Sequence, residues 1–233
     1  MFDLGEHGVE AVVLDIEGTT TRIAFVYDVL FPFARAHLRD YVDTCAQIES
    51  MGQLREEWAE DVARGEQPPE PIAEYVEWLM DRDRKSTGLK LLQGRIWEGG
   101  YRTGALKGEV FADVPPAFER WRQAGIAIAI YSSGSVLAQR LLFGSTPTGD
   151  LTGFISGFFD TTVGPKTAVD SYRRIASELS CPIERLLFVS DTPRELQAAR
   201  SAGCSVLLCV RPGNRVEPSV EGISTILSFD EIH

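Results

Sequence analysis

The chain has 233 residues, of which 44% are hydrophobic and 24% are charged, and its formal charge is −11 at neutral pH. A soluble globular chain of this length is expected to bury a sizeable core, as one large domain or as a domain with an insertion. The acidic balance argues against nucleic acid and an anionic membrane surface as partners, because both require a basic face. An anionic small substrate would need positive charge from a metal ion, a lysine or helix N-termini.

The chain starts with neither a basic leader nor an apolar segment of secretory length, and no later apolar run approaches a membrane span. We therefore expect a cytoplasmic protein. We also expect a monomer. None of the three histidines lies beside a candidate motif, which leaves acid–base work to carboxylates. Buried free thiols are expected at the four cysteines, which show no C-x-x-C spacing: Cys45, Cys181, Cys204 and Cys209.

A predicted buried strand ends at two carboxylates. The apolar run from Val9 to Leu14 is followed by Asp15 and Glu17, then by a glycine and three threonines. Ligands bind beyond the carboxyl ends of the strands in an open parallel sheet, so Asp15 is placed to act as a nucleophile or a metal ligand. Taken alone, the pattern fits ordinary turn-forming acids at a strand exit equally well.

Helical periodicity replaces the strand pattern after Thr21 and continues for roughly eighty-five residues, which is longer than any ordinary connection in an α/β unit. We predict an all-helical cap domain of residues 22–104 that closes over the strand ends, and a core domain of residues 1–21 and 105–233. Four glycines near the end of the insertion predict a hinge back to the core: Gly94, Gly99, Gly100 and Gly104.

The second predicted strand ends in hydroxyls. Asp113 is expected to cap a helix that returns the chain to the core, and the apolar run Ile126–Tyr131 then leads to Ser132 and Ser133. Because this run does not alternate, it is typical of a strand covered by helices on both faces. Hydroxyls and free amides before a helix favour an anion site, although Ser135 alone fits a simple helix cap as well.

Two further strand ends contribute a cation and an acid. A strand at Phe154–Phe159 is followed by Lys166, which we expect to open a helix; a lysine at that end favours a bound anion over a solvated side chain. The run Leu186–Val189 leads to Asp191. Two more strands are predicted at Val206–Val210 and Ile223–Leu227.

The order of these strand ends points to phosphate chemistry. Two carboxylates on neighbouring strands can hold a hard cation such as Mg²⁺, while hydroxyls, helix N-termini and a lysine can bind a phosphate. A carboxylate in line with the phosphorus atom could attack it and form an acyl phosphate.

In this order the motifs resemble those of the haloacid dehalogenase-like phosphohydrolases. More narrowly, the chain is similar to the enolase-phosphatase of methionine salvage, also called acireductone synthase. The stretches that carry the narrower resemblance are Asp15–Thr20, Ile130–Ser135 with Leu141–Gly144, Val210–Asn214, and Leu89–Gly94 with Trp97 in the insertion.

The resemblance implies an α/β fold in which a Rossmann-like parallel sheet has helices on both faces and an all-helical cap is inserted after the first strand. It implies one Mg²⁺ per subunit and a phosphorylated diketone as substrate, which is enolised and then dephosphorylated. Asp15 would be the nucleophile, and Glu17, which stands where the wider superfamily has aspartate, a catalytic acid. The implied metal ligands are Asp15, Glu17 and Asp191; Ser132, Ser133 and Lys166 would bind the phosphate, and Lys166 would also balance its charge in catalysis.

Two alternatives remain at this point. One is a phosphohydrolase of the same fold that acts on another small phosphate ester, whose cap would lack the Leu-Gln-Gly-x-x-Trp stretch found here. The other is a catalytically silent phosphate-binding regulator, which should have lost Asp15 or Asp191, and both are present. The sequence does not identify the base that removes the carbon-bound proton.

Overall fold

The computed structural model describes residues 1–44, 49–214 and 221–233, and a parallel β-sheet forms its centre. The strands are β1 Ala11–Leu14, β2 Ala127–Tyr131, β3 Gly157–Phe159, β4 Leu186–Ser190, β5 Ser205–Cys209 and β6 Ser224–Ile226. They are hydrogen-bonded in the order β3-β2-β1-β4-β5-β6, and each pairing is parallel. The predicted parallel sheet is confirmed, and the strand that ends before Asp15 lies in its interior.

The described residues form two compact units, Met1–Val26 with Lys107–His233 and Tyr27–Leu106. The assignment of a core and a cap domain stays a prediction. The helices are α1 Ile23–Phe25, α2 Phe31–Thr44, α3 Glu49–Ala63, α4 Ile72–Asp81, α5 Thr87–Thr103, α6 Val114–Gln123, α7 Val136–Gly144, α8 Val169–Glu178 and α9 Pro193–Ala202, with a π-helical turn at Val26–Leu30.

Strand β1 is buried on both faces because all four of its residues are apolar and fully buried. Ala11 and Val13 pack in a cluster that α8 and α9 complete with residues such as Tyr172 and Leu196. Successive strand residues point to opposite faces, so the other two residues of β1 are covered from the opposite side. This two-sided burial explains the apolar runs without alternation.

The register of the central strands places the candidate site. Leu14 is aligned with Ile130 of β2 and with Val189 of β4. The residues that follow these three strands therefore leave the sheet side by side at its carboxyl edge. A short stretch of sequence after each strand is brought to one place although the stretches are far apart in the chain.

Two predicted boundaries were wrong. Strand β3 begins at Gly157 because the preceding residues Thr152–Phe154 form a 3₁₀ turn. Lys166 does not open a helix: α8 begins at Val169, and Lys166 lies in a turn that the Ala168 N–H closes by donating to the Pro165 carbonyl at 2.9 Å. The lysine thus projects from a loop before the helix.

Asp113 precedes α6 as predicted, but its side chain makes no capping hydrogen bond. Its Oδ2 atom instead accepts from Arg211 Nη1 at 2.6 Å, from the Phe229 N–H at 2.6 Å and from Ser228 Oγ at 3.0 Å. Burial raises the pKa of Asp113, but these donors outweigh it and the net shift is downward. The carboxylate therefore joins α6 to the C-terminal segment.

The predicted glycine hinge was also wrong for three of its four residues, since Gly94, Gly99 and Gly100 lie within α5. A Cβ at Gly100 would lie 2.6 Å from the Phe33 ring, so this glycine allows α2 and α5 to pack closely. Gly104 ends α5 in the left-handed conformation, with φ of 75°.

The described cysteines, Cys181, Cys204 and Cys209, are buried and free as expected, whereas Cys45 lies outside the described residues. Among the helices of the described ranges, none is both long and apolar enough to cross a membrane.

Replacing Asp113 by alanine should lower the free energy of unfolding by about 3 kcal/mol, because it leaves the buried Arg211 guanidinium without its ion partner. Since the folded pKa of Asp113 lies below its ordinary value of 3.8, this contribution should be present at neutral pH and be lost as the pH falls below that value. Urea unfolding at pH 7 measures it. The exposed Asp230, 3.9 Å from Arg120, is the matched control, and Asp230→Ala should change the stability little; equal effects of the two variants would contradict the prediction.

Candidate active site

Asp15 lies directly after β1, and its carboxylate is held from three sides. Oδ1 accepts from the Ile16 N–H at 2.7 Å and lies 2.6 Å from Nζ of Lys166, while Oδ2 lies 3.2 Å from Ser190 Oγ, whose single hydrogen is shared with Glu195 Oε2 at 3.1 Å. The side chain is almost fully buried. The two donors to Oδ1 and the hydroxyl beside Oδ2 orient the carboxylate, as a nucleophile or a metal ligand requires.

The ammonium group of Lys166 lies between two carboxylates. Its Nζ atom is 2.6 Å from Asp15 Oδ1 and 2.7 Å from Glu195 Oε2. Burial disfavours the charged form, but the two carboxylates outweigh burial and raise the pKa of Lys166 above its ordinary value. The residue is therefore a permanent cation at the end of β1, and both of its observed anionic partners are carboxylates.

The loop that carries Lys166 is held by its main-chain carbonyls. Tyr131 at the end of β2 donates to the Gly164 carbonyl at 2.8 Å, and Tyr172 of α8 donates to the Lys166 carbonyl at 2.6 Å. Between them, Ser171 donates to the Pro165 carbonyl at 2.8 Å. Three successive carbonyls are thus satisfied by core side chains, which fixes the point from which the lysine projects.

Asp191 follows β4 and faces the loop after β1. A Cβ at Gly18 would lie 2.1 Å from Asp191 Oδ2, so the carboxylate is packed directly against this glycine. Its Oδ1 accepts from Thr192 Oγ1 at 3.0 Å and its Oδ2 from Asn214 Nδ2 at 3.3 Å. Burial and the charge of Asp15 raise the pKa of Asp191 to about 7.

The site holds more negative than positive charge. Burial and the charge of Asp15 raise the pKa of Glu195 to about 7, against the opposing effect of Lys166. The charge of the half-buried Glu17 acts on Asp191 in the same direction. Lys166 alone does not balance the charges of Asp15, Asp191 and Glu195 together, so the site is suited to a hard divalent ion.

The carboxylates of the site suit Mg²⁺ better than a metal ion that takes all of its ligands from protein side chains. In the part of the chain that the structure describes, no group of three or more His, Cys, Asp or Glu side chains is placed to hold a metal ion. Mg²⁺ typically uses one or two carboxylates and fills its other positions with water and substrate phosphate. Asp15 and Asp191 supply that number; the ligand set with Glu17 stays a prediction.

Ser132 and Ser133 follow β2, on the neighbouring strand to β1. Ser132 is buried, and its Oγ accepts from the Gly134 N–H at 3.1 Å, which leaves the hydroxyl hydrogen to be donated elsewhere. Ser133 is exposed. Both lie at the edge where a phosphate was predicted, and their role in binding it stays a prediction.

The start of α7 is partly occupied by a carboxylate of the chain itself. Ser135 caps the helix as predicted, accepting from the Ala138 N–H at 3.3 Å. The Val136 N–H donates to Asp160 Oδ2 at 3.2 Å. One of the amides expected to be free for an anion therefore already has an acceptor.

Comparison with known proteins identifies the family. A model of the haloacid dehalogenase-like hydrolases matches residues 9–203. Enolase-phosphatase E1 of Synechococcus elongatus is 48% identical over 96% of this chain and 98% of its own length. The corresponding enzyme of Erwinia tasmaniensis is 46% identical over 87% and 89%. The chain belongs to the enolase-phosphatase E1 family of haloacid dehalogenase-like hydrolases.

A solved structure has the same fold. The UTR4 protein of Saccharomyces cerevisiae matches this chain with a TM-score of 0.78 and 32% identity, over 95% of this chain and 99% of that one. The predicted fold and the predicted class, a phosphohydrolase enzyme, are confirmed.

Glu195 is the residue of the enolase-phosphatase site that the sequence analysis missed. The segment Thr192-Pro193-Arg194-Glu195 has the Thr-x-x-Glu spacing of a helix capping box, which offers an ordinary structural explanation. In the structure the Thr192 side chain makes no cap and donates to Asp191, and the Glu195 carboxylate pairs with Lys166. The position of this segment is the signal that could have revealed Glu195, because the segment directly follows the strand-end acid Asp191.

Replacing Glu195 by glutamine should make the metal-free enzyme more stable at pH 8 while lowering phosphatase activity by about tenfold. The raised pKa of Glu195 means that the fold favours its neutral form. Wild-type stability should therefore fall as the pH rises from 4.5 towards 7, and the glutamine variant, which mimics the neutral acid, should escape this loss. Urea unfolding in chelator across this range measures the effect.

The exposed Glu178 on α8 provides the control. Glu178→Gln should leave both activity and the pH dependence of stability unchanged. A Glu195→Gln enzyme that is less stable than wild type at pH 8 would show that the carboxylate is held mainly for stability.

Proposed function

We propose that this chain converts 2,3-diketo-5-methylthiopentyl-1-phosphate into the acireductone 1,2-dihydroxy-3-keto-5-methylthiopentene and phosphate, a step of methionine salvage. Identity of 46–48% to enolase-phosphatases along most of the chain supports this substrate. The structural observation that carries the proposal is the buried Asp15, paired with Lys166 and facing Asp191 across neighbouring strands. A monomeric, cytoplasmic enzyme stays a prediction.

One Mg²⁺ per subunit would be held by the Asp15 and Asp191 carboxylates with an oxygen of Glu17. When bound, the ion would polarise carbonyl and phosphate oxygens and acidify the carbon next to the phosphate ester. Lys166 would balance the phosphate charge, and the free hydroxyl hydrogen of Ser132 would be donated to a phosphate oxygen.

In the phosphatase step, a carboxylate oxygen of Asp15 would attack phosphorus as the bond from phosphorus to the substrate oxygen breaks. Glu17 would give its proton to the leaving oxygen. Water would then hydrolyse the acyl phosphate, releasing phosphate and restoring Asp15. In the enolase step, Glu17 is our candidate for the base that removes the carbon-bound proton, and Ser132 and Ser133 would hold the phosphate in place.

Incubation with the diketone phosphate tests the substrate. Enol formation is followed by ultraviolet absorbance while phosphate release is measured in parallel. We expect both signals, with the enol appearing first. Phosphate release from simple esters without turnover of the diketone would instead favour a phosphatase of another small ester, which the same nucleophile and lysine would also support.

Phosphate release should require Mg²⁺ and should disappear in chelator, because the carboxylates at the ends of β1 and β4 repel each other and the substrate phosphate without a cation. Titrating the chelated enzyme with Mg²⁺ should restore the activity. Full activity in metal-free buffer would rule out the proposed metal site.

Asp15→Asn should reduce phosphate release on the order of 10³-fold or more, because the amide is a poor nucleophile. Some enolisation should survive, since the amide still offers an oxygen to the cation. Lys166→Ala should instead depress both steps together by about 100-fold, because both depend on bound phosphate. Parallel absorbance and phosphate assays at saturating Mg²⁺ separate the two variants.

The asparagine variant is the decisive one. If it bound substrate and Mg²⁺ normally yet formed no enol, the two half-reactions would not have separate requirements. If it released phosphate at the wild-type rate, Asp15 would not be the nucleophile.

A further inference from the structure

The loop after β5 sends two side chains to the loop that follows Asp15. It contains Arg211 and Asn214, and neither residue has a part in the proposed chemistry. Arg211 Nε donates to the Thr19 carbonyl at 3.0 Å, and Asn214 Nδ2 donates to the Gly18 carbonyl at 2.7 Å. Two successive carbonyls of the nucleophile loop are thus held by one distant segment.

Arg211 is held by an ion pair and by two aromatic rings, so it provides a base for this segment. The guanidinium lies 4.4 Å from the centre of the Phe111 ring and 4.6 Å from that of Phe229. It is paired with Asp113 at 2.6 Å and is almost fully buried. The Asn214 N–H donates to the Arg211 carbonyl at 3.1 Å, so the turn that presents Asn214 starts from this buried, paired residue.

Asn214 also reaches the second acid of the site. Its Nδ2 atom lies 3.3 Å from Asp191 Oδ2 as well as 2.7 Å from the Gly18 carbonyl. Both neighbours are acceptors, so only the NH₂ group of the amide can satisfy them. The two NH₂ hydrogens can serve one acceptor each, and the amide therefore bridges the Asp191 carboxylate to the loop after β1.

Gly18 shows independently how closely these groups approach. Its φ is 73°, a conformation that L side chains rarely adopt. A Cβ there would lie 2.1 Å from Asp191 Oδ2 and 2.8 Å from Asn214 Nδ2. The carboxylate and the amide thus fill the space beside this glycine.

We propose that Asn214 is a positioning residue that orients the Asp191 carboxylate for Mg²⁺ by tying it to the Gly18 carbonyl, from a turn anchored by Arg211. The proposal rests on the proposed function, since it assumes that Asp191 holds the cation. Asn214 acts through Asp191 and does not itself touch the reacting atoms. Outer hydrogen-bond partners of metal ligands typically contribute 10- to 100-fold to metal affinity.

Calorimetric titration with Mg²⁺ alone, without substrate, tests the proposal. The proteins compared are wild type, Asn214→Ala and Asn214→Leu, the last of which keeps much of the side-chain volume but has no donor. Ser201→Ala is the matched control: it removes one hydrogen bond to a carbonyl, that of Gln197, at an exposed position of α9. We expect both Asn214 variants to bind Mg²⁺ about tenfold more weakly than wild type and the control to bind it normally.

Melting temperature in chelator separates positioning from a merely structural role. We expect all three variants to melt close to wild type without metal, and the stabilisation by added Mg²⁺ to be smaller only in the Asn214 variants. Wild-type Mg²⁺ affinity in Asn214→Leu would overturn the proposal. A large drop in melting temperature in chelator for both Asn214 variants would overturn it too, because the amide would then serve the fold itself.

The same titration distinguishes this inference from the proposed function. If wild type bound no Mg²⁺, the proposed metal site would fail, and with it the role of Asn214. If wild type bound Mg²⁺ and turned over the diketone while the Asn214 variants bound the ion equally well, only the positioning role would fail.

Discussion

The site is organised by an excess of buried negative charge that one ammonium group does not balance. Asp15, Asp191 and Glu195 converge at the carboxyl edge of the sheet, and Lys166 pairs with two of them. Burial and repulsion by Asp15 raise the pKa of Asp191 and of Glu195, which is a cost to the folded state. The same excess makes the site receptive to a divalent cation, so the instability and the proposed chemistry have one cause.

Holding like charges together requires a rigid frame, and the core supplies it through polar side chains. Tyr131 and Tyr172 are buried among apolar residues, yet their hydroxyls fix the loop that carries Lys166. On the other side of β1, Arg211 holds the nucleophile loop. Elements that look purely structural in the sequence therefore determine where the charged groups lie.

The sequence predicted the strands and the polar residues that follow them at the carboxyl edge of the sheet. Both could be predicted because apolar runs and strand-end acids are local signals. It could not predict which donor meets which acceptor between segments far apart in the chain. Asp113 has the position of a helix cap but bonds to Arg211, and Glu195 has the position of a capping-box residue but bonds to Lys166. Gly100 suggested a hinge, although its small size serves close helix packing. In each case a tertiary contact overrode a valid local interpretation.

The carboxylate of Asp113 links the C-terminal turn to the loop that follows Asp15. It joins the Phe229 N–H, near the end of the chain, to Arg211, which in turn holds the Thr19 carbonyl. Residues adjoining the nucleophile are thus part of the same cooperative unit as the C-terminal turn. Detachment of the C-terminal turn should therefore loosen the hold of Arg211 on the Thr19 carbonyl, so the order of the active-site loop depends in part on a distant segment of the polypeptide.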